Sequence, residues 1–245
     1  MWPFLILACS TGSDKDSGSE NSIHSDDSPS DIIYPTGESV WFFDGIGGCS
    51  IGGGGTCEYN QAKALLVDDG WQVDYASSWR SLDPYRMMIM LAPNINGSGQ
   101  LTNDEISDIK AGLSNGLRLV ITAENSLCEA PAVQMLLEAL DASISFTGEA
   151  LDANRIIEVN NLSNHQINSN ASRYLMVDPC IVDAPENIFA DAEGRVYGGS
   201  ERLDNGGEII LIGDSDFFDD SGYLTEANNS TLIQNLAWID PALTP

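Results

Sequence analysis

Residues 207–218 read Gly-Glu-Ile-Ile-Leu-Ile-Gly-Asp-Ser-Asp-Phe-Phe. Glu208 to Gly213 is a short apolar run bounded by turn-forming residues, the pattern of a central strand in a sheet covered on both faces. The chain upstream repeats that pattern and alternates it with amphipathic helices. Val40-Trp41-Phe42-Phe43 is a buried strand ending at Asp44-Gly45, and a helix follows from about Glu58 to Asp69, stopped by Gly70. Trp71 to Ala76 and Arg86 to Ala92 are further strands, the latter closed by Pro93. Thr102 or Asn103 caps a helix that runs to about Asn115, with Gly116 as its stop. Leu117 to Ala123 is a fourth strand, and Pro131 to Ala142 a helix with Val133, Leu136, Leu137 and Leu140 on one face. Asn228 to Ile239 is the terminal helix, capped by Asn228. Short β-α-β connections of this kind give a mostly parallel sheet with helices on both faces. Residues 144–207 break the rhythm and predict short, partly antiparallel strands added at one edge.

The charge balance narrows the function. Ten Lys and Arg against 37 Asp and Glu give a formal charge of −27. That excludes nucleic-acid binding through a basic patch and electrostatic docking on anionic lipid. No apolar run reaches the roughly 18–20 residues of a membrane helix. The aromatics Trp41, Phe42 and Phe43 belong to the core, while Trp79 and Tyr85 fall near loops.

The N-terminus carries an address. Phe4 to Ala8 is apolar, and Ile6-Leu7-Ala8-Cys9 resembles the lipobox that ends a bacterial lipoprotein signal peptide. The resemblance implies lipid on Cys9, with Ser10 directing the protein to the outer membrane. The charged n-region of such a peptide is missing, which places the true start several residues upstream. Residues 10–37 are almost entirely Ser, Asp, Gly, Glu, Thr, Asn and Pro, the composition of a flexible tether. Residues 38–245 form the folded domain. Beyond Cys9 four cysteines remain, Cys49, Cys57, Cys128 and Cys180. In an exported protein an even number reads as two disulfides, with three connectivities possible. The local clip Cys49–Cys57 leaves Cys128–Cys180.

The segment Gly207 to Phe218, followed by Asn228-Asn229, Leu232-Ile233, Asn235 and Trp238-Ile239, resembles the closing signature of a non-catalytic branch of the class I glutamine amidotransferase-like superfamily. That branch includes DUF4350 domains, gliding-motility and ABC-transporter auxiliary domains, and the N-terminal domain of an intraflagellar-transport protein. Met90-Leu-Ala-Pro93 before the helix at Leu101 to Gly116 adds to the likeness, which spans roughly residues 39–240. It implies a flavodoxin-like fold and no defined reaction.

Catalytic relatives place a nucleophile on a tight strand-to-helix turn with a His as base. The corresponding turn here is Glu124-Asn-Ser-Leu-Cys-Glu-Ala130, without the flanking glycines of an elbow. Cys128 lies about four residues beyond the elbow position, Ser126 is nearer, and the available base is His165, expected to be exposed outside the sheet core. The loop Gly45 to Thr56 sits where a phosphate cradle would, but it has no Gly-Lys-Ser/Thr and is flanked by Asp44 and Glu58. Asp44, Glu124, Asp214 and Asp216 all fall at carboxyl ends of strands, where open α/β sheets bind ligands. With Asp219 and Asp220 they could offer oxygens to Ca²⁺ or Mg²⁺; otherwise Asp214 or Asp216 caps the next turn and the rest are solvated. The favoured reading is an envelope-anchored, non-enzymatic binding or scaffolding protein that meets an envelope protein or extracellular ligand through this rim. The alternatives are a hydrolase or amidotransferase relative using Cys128 or Ser126, and a Ca²⁺-dependent carbohydrate- or metal-binding domain. No other cofactor is expected.

Overall fold

A computed structural model describes residues 39–48, 59–95, 99–124, 127–151, 155–204, 206–220 and 222–238. Cys9, residues 10–37, Cys49, Cys57 and Ser126 lie outside the described residues.

The parallel strands are β1 (Ser39–Phe43), β2 (Gln72–Ala76), β3 (Tyr85–Met90) and β4 (Arg118–Thr122). The short strands that follow are β5 (Ser145–Ala150), β6 (Ile156–Val159), β7 (Asn161–Leu162), β8 (Tyr174–Val177), β9 (Cys180–Asp183), β10 (Glu186–Ala190) and β11 (Val196–Arg202). The run quoted at the outset is β12 (Glu208–Ile212). The main sheet has the order β2-β1-β3-β4-β12-β11-β10-β7. The first five strands are parallel, and β11, β10 and β7 continue the sheet antiparallel from β12. The flavodoxin-like α/β expectation and its antiparallel edge are both present. Two small antiparallel pairs, β5-β9 and β6-β8, lie outside the main sheet.

Four α-helices accompany these strands among the described residues: α1 (Asn60–Asp68), α2 (Asn103–Ser114), α3 (Pro131–Ala139) and α4 (Asn229–Ala237). Alternate side chains of the central strands feed opposite faces. Ile210 and Ile212 pack with Leu66 of α1 and Leu232, Ile233 and Leu236 of α4. Ile209, Leu211, Leu119 and Ile121 pack with Ile109 and Leu113 of α2 and Leu136 and Leu137 of α3. Trp79 and Tyr85 belong to this second core, Trp79 lying edge-on to Trp41 and Phe43.

Helix ends show where local sequence decides and where distant residues do. Of the two residues expected to cap α2, Thr102 does so, in a reciprocal box with Glu105. The helix predicted to Ala142 ends at Ala139, because Asp141 adopts a left-handed backbone (φ 57°). The amides of Asn60 and Gln61 at the start of α1 donate to the carboxylate of Asp220, at 3.0 and 2.8 Å. Asn228 does not cap α4 with its side chain. Its carboxamide oxygen instead accepts from the amides of Ser172 and Arg173 and from the Ser172 hydroxyl.

Candidate functional site

At the carboxyl end of the sheet, β4 and β12 lie side by side and deliver Glu124 and the Asp214-Ser215-Asp216 turn to one place. Gly213 makes that turn possible: a Cβ there would meet the carbonyl oxygen of Cys180 at 2.0 Å. The crossing is fixed by the Cys180 amide donating to the Gly213 carbonyl at 2.7 Å. Glu124, Asp214 and Asp216 can each place a carboxylate oxygen within 4.8 Å of the others. The structure thus brings together three of the four acidic residues expected at the rim. Asp44 is not part of the group; it accepts from the Tyr75 hydroxyl at 2.9 Å. Asp220 is committed to α1, which corrects its assignment to a cation site.

Asp214 is buried, and its two oxygens accept from the amides of Val177 (2.8 Å) and Asp216 (2.9 Å). The second bond is an Asx turn, so the residue does organise the turn that follows it. Burial, reinforced by the Asp216 charge, holds the Asp214 carboxyl well above the usual range. Burial and the neighbouring Asp219 and Asp178 raise Asp216 to about 6. Ser215 is also buried; its hydroxyl donates to Glu124 Oε2 at 2.6 Å and bonds to the hydroxyl of Tyr59. Burial pushes the Tyr59 phenol far up, so it stays protonated. This pocket offers a hard cation three carboxylates, or binds protons between them.

The raised values have a sign. Asp214 and Asp216 hold protons more tightly folded than unfolded, so their contribution favours the native state at low pH; the part due to Asp216 is lost as pH rises from about 4 through about 6. Asp216→Asn is therefore expected to flatten the fall in melting temperature between about pH 4 and pH 7. Thermal melts of both proteins, with and without millimolar Ca²⁺, check this. A Ca²⁺-dependent rise at neutral pH, absent from Asp216→Asn, assigns the pocket to a cation as well.

The thiol that the alternative, hydrolase reading would use is consumed. Cys128 is bonded to Cys180, the pairing left once Cys49 and Cys57 are assigned to a local clip. The N-terminus of α3, where an elbow would stabilise an oxyanion, is occupied too. Asn94 Oδ1 accepts from the Ala132 amide at 3.2 Å, while its Nδ2 donates to the carbonyls of Ile46 (3.1 Å) and Gly99 (2.7 Å). One side chain thereby ties the loops after β1 and β3 to α3. Gly48 lies against the end of β3, with the Leu91 carbonyl 2.6 Å from where a Cβ would stand.

His165 is neither exposed nor near Cys128. It is buried, its Nδ1 accepting from the Ile167 amide (3.3 Å) and its Nε2 donating to Glu208 Oε1 (3.2 Å). Glu208 opens β12 and is in register with Arg118, which opens β4. Glu124 and the disulfide follow the other end of β4, a strand of five residues and about 13 Å, so Cys128 and this histidine lie toward opposite ends of it. The Arg118 guanidinium donates from Nε to Glu208 Oε2 (2.8 Å), forms an ion pair with the same oxygen through Nη2 (2.7 Å), and caps α4 from Nη1 through the carbonyls of Leu236 and Trp238. Burial works against the Glu208 charge, but His165 and Arg118 outweigh it and hold the carboxyl down at about 2. The reading of the sequence missed this triad, as well as Asn94, Tyr59 and Ser215. A charged first residue on each of two otherwise apolar central strands was the available signal for Arg118 and Glu208.

Among the described residues no helix is long and apolar enough to cross a membrane. The fold is similar to the mmIFT52 N-terminal domain, with TM-score 0.64 and 16% identity over 83% of this chain and 99% of that one. It is similar to STM1381, a cytoplasmic protein from Salmonella typhimurium (TM-score 0.61, 11% identity, 81% and 98% covered). It is also similar to a ThuA-like protein from Bacteroides uniformis (TM-score 0.53, 14% identity, 85% and 93% covered). At these identities the likeness is one of fold. No curated protein sequence matches the chain. Residues 59–237 match a domain of unknown function, DUF4350, and that span is most of the chain. The chain therefore belongs to the DUF4350 family.

Proposed function

We propose that this DUF4350 protein is a non-enzymatic binding or scaffolding lipoprotein of the bacterial envelope, built on a glutamine amidotransferase-like domain without the reaction. In this reading lipid on Cys9 anchors it to the outer membrane and residues 10–37 hold the domain away from the bilayer. The rim around Glu124, Asp214 and Asp216 then meets an envelope protein or an extracellular ligand. The observation that carries the non-enzymatic reading is the fate of the two groups a hydrolase needs. Cys128 is in a disulfide, and His165 is buried at the opposite end of β4. Ser215, hydrogen-bonded to Glu124, is buried and closed to substrate. The disulfide also suits an oxidising compartment.

The test is made in cells producing the full-length chain. A photo-crosslinking residue at Glu124 is expected to trap a discrete envelope component, and the same probe at exposed Asp204, beyond the other end of β12, is not. Cys9→Ser is expected to release the protein from the membrane fraction. Glutamine or ester hydrolysis by the purified protein that disappears in Cys128→Ala would overturn the reading.

A further inference from the structure

Between α3 and β5 lies a slot of about 320 Å³, floored by Cys128, Val133, Leu137, Ile144 and Phe146. Its volume is at the small end for ligand pockets, room for one or two apolar side chains. Both Ser145 and Phe146 line it. Consecutive strand residues point to opposite faces, so a slot lined by both runs along the edge of β5 and not across a face. The opposite edge of β5 pairs with β9, Ser145 against Asp183 and Phe146 against Val182. Among the described residues no strand pairs with the edge beside the slot. An apolar trough between a helix and a free strand edge is the arrangement in which an extended peptide adds as one more strand.

The walls are held apart by fixed points. The Cys128–Cys180 bond ties the segment before α3 to the first residue of β9, the strand that carries β5. Gly148 takes a left-handed conformation (φ 80°), and the Glu129 carboxylate occupies the place of its missing Cβ, 2.2 Å away. The register breaks between Phe146 and Ala150, so the usable edge is short, Ser145 to Thr147.

Charge selects the occupant. Glu138 lines the slot, the Glu129 carboxylate stands against Gly148 of β5, and no Lys or Arg is in the lining. A second copy would bring its own −27 and place the same glutamates across a twofold axis. We infer that β5 and α3 form a docking slot for an extended, basic segment of a partner protein, which pairs with the free edge of β5 and seats an apolar side chain against Val133, Leu137 and Phe146. The inference rests on the binding-module reading but uses a surface distinct from the acidic rim.

The probe is a capped synthetic peptide, Lys-Val-Lys-Leu-Lys-Val-Lys, added to the ¹⁵N-labelled oxidised domain together with its tether. The expected result is shifted and exchange-protected amides at Ser145, Phe146 or Thr147. The same peptide N-methylated at alternate residues loses binding in at least one of the two frames, and Glu138→Lys weakens it several-fold. Protection of β5 that depends on protein concentration alone would overturn the inference in favour of a second copy. Shifts scattered over the acidic surface, equal for plain and N-methylated peptides, or no binding at millimolar peptide, would also overturn it. The crosslink from Glu124 reports separately on the binding-module reading, so the two can fail independently.

Discussion

Glu208→Ala is expected to cost about 3–5 kcal/mol of unfolding free energy, read as a lower urea midpoint, because it strands Arg118 without a counter-ion. The side chains of Arg118 and Glu208 are only 2% and 8% exposed, so water cannot replace the lost carboxylate. His165 loses its Nε2 acceptor in the same step. The damage reaches α4, since the guanidinium released from Glu208 is the one that holds the carbonyls of Leu236 and Trp238. A pH series gives an independent check. The Glu208 carboxyl is held down at about 2 from an ordinary value of 4.5. Its contribution is therefore complete above about pH 4.5 and is lost as pH falls toward 2. Glu208→Gln should remove that acid limb. A midpoint within 1 kcal/mol of wild type for Glu208→Ala would show that the triad does not hold the two central strands and α4 together.

Removing the Cys128–Cys180 bond has the other large expected effect. The two cysteines are 52 residues apart. Releasing a loop of that length is expected to cost about 4 kcal/mol, mainly through the freedom gained by the unfolded chain. The double variant Cys128→Ala/Cys180→Ala should therefore melt about 8–16 °C lower than the oxidised protein. Reduction of the wild type should reproduce most of that loss. If both proteins melt within 2 °C of the oxidised form, the segment from α3 to β9 is held by packing alone and the disulfide contributes little.

The sequence foretold the parallel half of the fold because its strands are continuous apolar runs and its helices carry their own punctuation. Thr102, one of the two residues expected to cap α2, does so. The antiparallel edge was legible only as a change of texture, since strands of two to seven residues carry little periodicity. What escaped was long-range. Asp220 reads as a solvated acid but caps a helix 160 residues earlier. Asn228 reads as a cap but binds the backbone of Ser172 and Arg173. His165 sits in an Asn/Ser-rich stretch and looks exposed, yet the start of β12 supplies a buried carboxylate for it. At the candidate site, the pairing of Cys128 with Cys180 followed once Cys49 and Cys57 were assigned to a local clip. The convergence of Glu124, Asp214 and Asp216 followed from their places at strand ends. Asp44 does not join them because it follows β1, which β3 separates from β4 and β12; there its Oδ2 accepts from the Tyr75 hydroxyl.

The placement of β12 bears on how the protein is made. This strand is the last of the described strands in sequence but lies in the interior of the sheet, between β4 and β11. A chain emerging amino-terminus first holds β1 to β4 with one side of β4 uncovered until Glu208 to Ile212 arrives. The carboxylate that caps α1 and the carbonyls that receive Arg118 come later still, at Asp220, Leu236 and Trp238. Until then Arg118 lacks its partners and one edge of β4 lacks its neighbour. Completion of the native contacts is thereby tied to the delivery of residues 208–238, and the growing chain stays unlocked until that segment is made.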